Sequence, residues 1–167
     1  MSKLRAEYNK RLLSIDGVSF FCLFGEKGIT EDKIEGDLKT PIGVFKIDKI
    51  FYRADKIEKP ESPIETVPIS KDDGWCDDKN REEYNSLIKL PFDGRFENLW
   101  REGDEYDIII TLDYNTSPVI KGKGSAIFIH VAKENMNYTE GCLALKKEDL
   151  IKIIDKLESS STIEISY

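Results

Sequence analysis

One histidine, three cysteines and no excess of positive charge mark this chain of 167 residues, and each scarcity closes a class of function. With 25 Lys and Arg against 32 Asp and Glu, the formal net charge is −7, so there is no basic footprint for nucleic acid. Lys121 and Lys123, in a Gly-containing turn, come nearest to one, but their spacing is not that of a phosphate-binding loop and they read as solvated. Three cysteines do not make a disulfide framework. No pair of them shows metal spacing, and one histidine cannot complete a usual zinc site without carboxylates, so no metal is expected. No run approaches the roughly 20 apolar residues that a spanning helix needs. Residues 1–17 also lack the apolar central region of a signal peptide, and no segment repeats another.

What is present suits a soluble globular domain: 40% hydrophobic and 34% charged residues. The length fits a single domain over 1–167 that can bury a core without staples. Strand-like segments dominate. Val18 to Phe24 is an apolar run behind the turn signal Asp16-Gly17, and Gly43 to Ile50 alternates apolar and polar residues. Tyr106 to Leu112 and Ala126 to Val131 are apolar on both faces and read as central strands, and Thr162 to Ser166 alternates again. Leu150, Ile153, Ile154 and Leu157 share one helical face, with Glu148 and Asp149 at the start and Ser159 to Ser161 at the end. Residues 77–89 are expected to hold a second short helix, and the proline-containing stretch from Tyr52 to Lys71 a long, largely irregular loop. The sum is a β-rich α+β domain with a helix near the C-terminus.

The chemistry-bearing residues lie in one stretch. Cys142 follows His130 by twelve residues, in Ile127-Phe-Ile-His-Val-Ala-Lys-Glu-Asn-Met-Asn-Tyr-Thr-Glu-Gly-Cys-Leu-Ala-Leu. A thiol attacks carbonyls as thiolate, and an imidazole is the usual group that takes its proton. An apolar strand delivers His130 to its end, a polar loop follows, and Gly141 lets the backbone turn just before the thiol. Backbone N–H groups near Gly141 and Cys142 can receive an oxyanion. No Asp or Asn is an obvious partner to orient the imidazole, which leaves a backbone carbonyl. Glu140 works against thiolate formation unless it points away or meets a cation. Cys22, inside Val18 to Phe24, reads as a small core residue, whereas Cys76 can be exposed or line a cleft.

The stretch resembles the active-site signature of the YkuD-type L,D-transpeptidases: a histidine at a strand end, a polar loop, then Ser/Thr-x-Gly-Cys. Gly36-Asp-Leu-Lys-Thr-Pro-Ile-Gly-Val-Phe resembles that family's Gly-Asp-x-x-Thr-Pro-x-Gly-x-Phe segment, and Gly74-Trp-Cys-Asp-Asp, Tyr84-Asn85, Leu99-Trp-Arg and Tyr106-Asp107 resemble one bacterial branch of it. The resemblance implies a mixed-sheet or β-sandwich catalytic domain that acts on peptidoglycan stem peptides without a cofactor. In the family, the cysteine attacks the bond after a diaminopimelate residue and the terminal D-alanine leaves. An amine on a neighbouring stem, or water, then resolves the thioester. By position, Cys142 corresponds to the nucleophile, His130 to the base, Gly141 to the oxyanion loop and Thr139 to the Ser/Thr position.

Three departures are visible: Ala144 where many members carry Arg, Glu140 where a basic residue is frequent, and Val131 where many have Gly. Glu140 joins Thr139 as an expected substrate contact. Trp75 and Asp77 can line a cleft and bind an ammonium of the stem peptide, or can belong to a surface loop. Arg101 can supply the cation missing at Ala144, or pair with Glu97 or Glu102. Tyr84 can reach the substrate or sit at the core edge. The resemblance further implies action in the periplasm or cell envelope, and a monomer is expected.

Overall fold

The computed structural model describes residues 2–167. Its strands in chain order are β1 (Lys3–Glu7), β2 (Leu12–Ile15), β3 (Val18–Phe21), β4 (Ile29–Thr30), β5 (Thr40–Pro41), β6 (Gly43–Tyr52), β7 (Thr66–Pro68), β8 (Asp73–Cys76), β9 (Leu87–Lys89), β10 (Phe96–Asn98), β11 (Ile108–Leu112), β12 (Phe128–Val131), β13 (Leu143–Leu145) and β14 (Thr162–Ser166). The helix α1 spans Lys147–Ile154.

One mixed sheet dominates the described residues, in the order β13-β12-β11-β6-β14-β1-β2-β3, with β7 alongside β6. The ten-residue β6 joins its two halves: Gly43 to Lys46 pair with β14, and Ile47 to Tyr52 pair with β11. Most neighbours are antiparallel, but β12/β13, β1/β14 and β6/β7 are parallel. The sheet then curls until its ends meet. Beyond β3, Leu23 and Ala144 exchange backbone hydrogen bonds of 2.8 and 3.1 Å, and Gly25 bridges to Thr139. A smaller sheet, β10-β8-β9, lies to one side.

The alternation of side chains along a strand sorts the apolar residues into two cores. Ile108, Ile110, Ile129 and Val131 face the main core, which also takes Leu150, Ile153 and Ile154 of α1. Ile109 and Phe128 face a second core shared with Phe51, Leu99 and Tyr106. This is why β11 and β12 are apolar on both faces: each is covered on both sides. Cys142 packs on the second core, as do Trp75 and Trp100.

Three details differ from the sequence expectations. Residues 77–89 form turns that lead into β9 rather than a helix. The Asp78 carboxylate accepts from the N–H of Asn80, Asn85 has a φ of 59°, and its side chain bonds outward, so local polar contacts displace the helical ladder. Leu157 is buried but lies past the end of α1. The loop after β6 contains the short parallel strand β7. Among the described residues, no helix is long and apolar enough to cross a membrane.

Candidate active site

The parallel pairing of β12 and β13 puts His130 in register with Ala144 and Ile129 with Leu143. Partners in register face the same way and alternate residues share a face, so Phe128, His130, Cys142 and Ala144 stand on one side of this strand pair. That side opens into a cleft of about 540 Å³, whose lining includes Cys142, His130, Gly141, Thr139, Glu140 and Tyr106.

Cys142 is half-buried. Its Sγ donates to the carbonyl of Ala126 at 3.1 Å and accepts from the N–H of Phe128 at 3.4 Å. Burial, reinforced by the nearby charge of Glu97, pushes the thiol up to about 12, so at neutral pH the sulfur carries its proton. His130 is buried against Tyr106, whose ring meets the imidazole edge-on at 5.4 Å. Burial pulls its pKa down to about 4, so the ring is neutral. Nδ1 lies 2.9 Å from the carbonyl oxygen of Val131. A carbonyl only accepts, so Nδ1 carries the hydrogen and Nε2 keeps its lone pair. The orienting group is thus a backbone carbonyl, that of Val131, the residue next to the histidine.

Thr139 and Gly141 shape the loop before the sulfur. The Thr139 hydroxyl accepts from the Gly141 N–H at 3.0 Å and donates to the Cys142 carbonyl at 2.6 Å. Gly141 adopts a φ of 146°, and a Cβ there would lie 2.9 Å from the backbone oxygen of Lys39. The N–H of Cys142 has no protein acceptor among the described residues.

The opposite wall is charged. Glu97 sits in it with its side chain 23% exposed. Burial, opposed by Arg101 and reinforced by Asp77, Glu140 and Glu35, raises its carboxyl to about 7. Asp77 also lines the cleft, and burial raises its carboxyl against the pull of Arg95. Arg101 donates to the Asn98 carbonyl, reaches Glu97 and Glu105 at 3.5 and 3.3 Å, and lies 4.0 Å over the Tyr106 ring. Its partners are therefore Glu97 and Glu105, not Glu102, and it stands in the cleft rather than on a solvated face. Ala144 is fully buried, and its methyl group is not part of the cleft lining.

Two expected substrate contacts lie elsewhere. Trp75 packs edge-on against Phe128 at 5.0 Å and donates to Asn85, behind the cleft. Tyr84, 1% exposed, donates to Glu35 at 2.6 Å and accepts from the Gly124 N–H, which makes it a brace for a cleft residue. Cys76 is fully buried and outside the cleft, and Cys22 is a core residue. Lys33 and Glu35 line the cleft without having been singled out in the sequence; the signal available was their place just before Gly36-Asp37. No group of His, Cys, Asp and Glu among the described residues is arranged to hold a metal ion.

The profile of the YkuD family, described as the L,D-transpeptidase catalytic domain, matches residues 7–165. The helical cell shape determining protein Pgp2 from Campylobacter jejuni is 17% identical at a TM-score of 0.52, over 98% of this chain and 46% of that one. Bd1075 from Bdellovibrio bacteriovorus is 13% identical at a TM-score of 0.52, over 98% and 47%. An L,D-transpeptidase from Mycobacterium smegmatis is 12% identical at a TM-score of 0.46, over 99% and 58%. The chain thus spans about half the length of these proteins, and at such identities the likeness is one of fold. No curated protein sequence matches it.

Proposed function

The chain belongs to the YkuD family of L,D-transpeptidase catalytic domains, and from that premise we propose that it carries out cysteine-dependent acyl transfer on peptidoglycan stem peptides in the cell envelope. The observation that carries this reading is the β12/β13 register, which sets Cys142 and a neutral His130 on one face of a single cleft.

Both groups start uncharged, so the reaction begins from thiol and imidazole rather than from a standing ion pair. The sulfur rotates away from the Ala126 carbonyl and gives its proton to Nε2 of His130 as it attacks the carbonyl carbon of the donor peptide. Negative charge passes to the carbonyl oxygen, where the uncommitted N–H of Cys142 can donate to it. The Val131 carbonyl holds the Nδ1 hydrogen and steadies the imidazolium while it exists. That imidazolium then protonates the leaving amine, the C–N bond breaks, and a thioester on Cys142 remains. An acceptor amine attacks the thioester, its proton passes to Nε2, and the thiol re-forms as the new amide is released. Thr139 keeps the loop in shape by bridging Gly141 to Cys142.

Intact-mass measurement after incubation with a tetrapeptide muropeptide or a carbapenem tests this. The expected result is a covalent adduct on Cys142, absent in Cys142→Ala and formed about 10²–10⁴-fold more slowly in His130→Ala. No adduct at any pH would leave a muropeptide-binding domain. The products separate the fates of the thioester: dimers joined through diaminopimelate mean transfer, and free tripeptide alone means hydrolysis.

A further inference from the structure

The side chain of Lys33 lines the cleft yet is only 5% exposed. Two glycines make its path. At Gly124, with a φ of 107°, a Cβ would lie 2.9 Å from Lys33 Cγ and 3.3 Å from Cε; at Gly141 it would lie 3.6 Å from Nζ. The stem therefore runs beneath Gly124, and the ammonium ends beside the residue that precedes Cys142.

There Nζ donates to the Asp37 carboxylate and, at 3.2 Å, to the carbonyl of Ile34. Asp37 also accepts from the N–H groups of Ile34 and Lys39, both at 3.0 Å. Burial alone would raise its carboxyl, but the Lys33 hydrogen bond and these two N–H groups outweigh that and hold it below the usual carboxylate range. The Asp37 carboxylate is thus ionised at neutral pH. An ammonium has three donors, and the third has no protein acceptor among the described residues.

The other cations of the cleft are placed differently. Arg101 is committed to Asn98, Glu97 and Glu105. Arg95 is 73% exposed and faces Asp77. The remaining charged lining, Glu35, Asp77, Glu97 and Glu140, repels an anion. A charge withdrawn from water also interacts more strongly than one exposed to it.

We propose that the Lys33 ammonium binds the free C-terminal carboxylate of the acyl-donor peptide, which sets the preceding carbonyl against Cys142 and makes the protein select peptides that end in a free acid. This rests on the acyl-transfer reading for its meaning but not for its test. Lys33 also braces the 33–40 loop through Asp37, and bracing alone would give no preference between acid and amide.

Binding is measured by calorimetry on the Cys142→Ala protein, with a stem tetrapeptide as its free acid and as its C-terminal amide. The acid is expected to bind at least about 10-fold more tightly. Adding Lys33→Met should weaken the acid about 10–100-fold, the scale of a hydrogen bond to a charged group, and change the amide less than about 2-fold. Lys33→Arg should keep part of the preference. Equal affinity for acid and amide, equal weakening of both by Lys33→Met, or no binding of either peptide overturns the proposal. If Lys33→Met does not fold, the acid-to-amide ratio on the Cys142→Ala protein decides alone. Acid preference without any adduct on the unmodified thiol would refute the chemistry and leave Lys33 standing; acylation by acid and amide at equal rates would do the reverse.

Discussion

The two walls of the cleft are built on opposite principles. The sulfur wall, β12 and the segment into β13, is extended, largely apolar, and keeps its two titratable groups neutral by burying them. The facing wall, drawn from loops and the small sheet, is crowded with carboxylates and guanidinium groups that hold one another in place. One wall holds its titratable groups uncharged; the other surrounds the cleft with paired charges. In the resting protein the surroundings of the thiol suppress the thiolate, and Sγ holds its hydrogen bond to the Ala126 carbonyl.

The largest effect that could break this contrast comes from the loop of the sulfur wall. Gly141→Ala puts a Cβ against the Lys39 carbonyl at a φ that L side chains rarely adopt, so the backbone before Cys142 must move. Acylation should fall about 10²–10³-fold, the scale of losing an oxyanion donor, with the fold intact by circular dichroism. A smaller loss would mean that the loop adapts and the wall is not rigid.

The buried imidazole gives the next effect. The folded-state pKa of His130 lies below its unfolded value, so its contribution to stability is full above pH 6.5 and is lost as pH falls toward 4. A drop from 6.5 to about 4 corresponds to about 3 kcal/mol at 1.36 kcal/mol per pH unit. Urea melts of the native chain and of His130→Leu over this range should diverge by about that amount, since the carboxylates titrate in both proteins. Parallel curves would place the imidazole in water.

A third measurement connects the walls. Glu97 raises the Cys142 pKa through its charge. Iodoacetamide should alkylate Cys142 slowly at pH 7 and faster at each higher pH, as expected for a thiol near 12. Glu97→Gln should quicken the reaction several-fold at pH 8, where the carboxyl near 7 is mostly ionised. An unchanged rate would uncouple the two walls. The smallest effect belongs to Arg95→Ala: an exposed arginine facing Asp77 at 3.5 Å should change stability by less than about 1 kcal/mol in thermal melts.

The sulfur wall was legible in the sequence and the charged wall largely was not, for a physical reason. β12 is covered on both faces, so its continuous apolar run marked it as central, and the polar loop to Gly141-Cys142 fixed which residues could meet at its end. The matching family profile agrees with that reading of the fold. The facing wall is held by side-chain contacts between distant segments, such as Tyr84 to Glu35 and Asn85 to the backbone of Ala126, and no local pattern announces those. The same contacts turned 77–89 away from a helix, and placed Trp75 behind the cleft while Asp77, two residues on, lines it. Lys33 escaped notice because a lysine before an acidic turn reads as solvated until the two glycines that enclose it come together.

The meeting of the chain after β3 with β13 also limits how a partner can approach. With Leu23 on one flank and β12 on the other, β13, which follows the cysteine directly, offers no unpaired strand edge. A visiting peptide cannot be recognised by lengthening the sheet at this point, as many peptide-binding proteins allow. For the donor peptide proposed above, recognition would then fall to its charged end and side chains, so that chemical identity rather than backbone would govern admission.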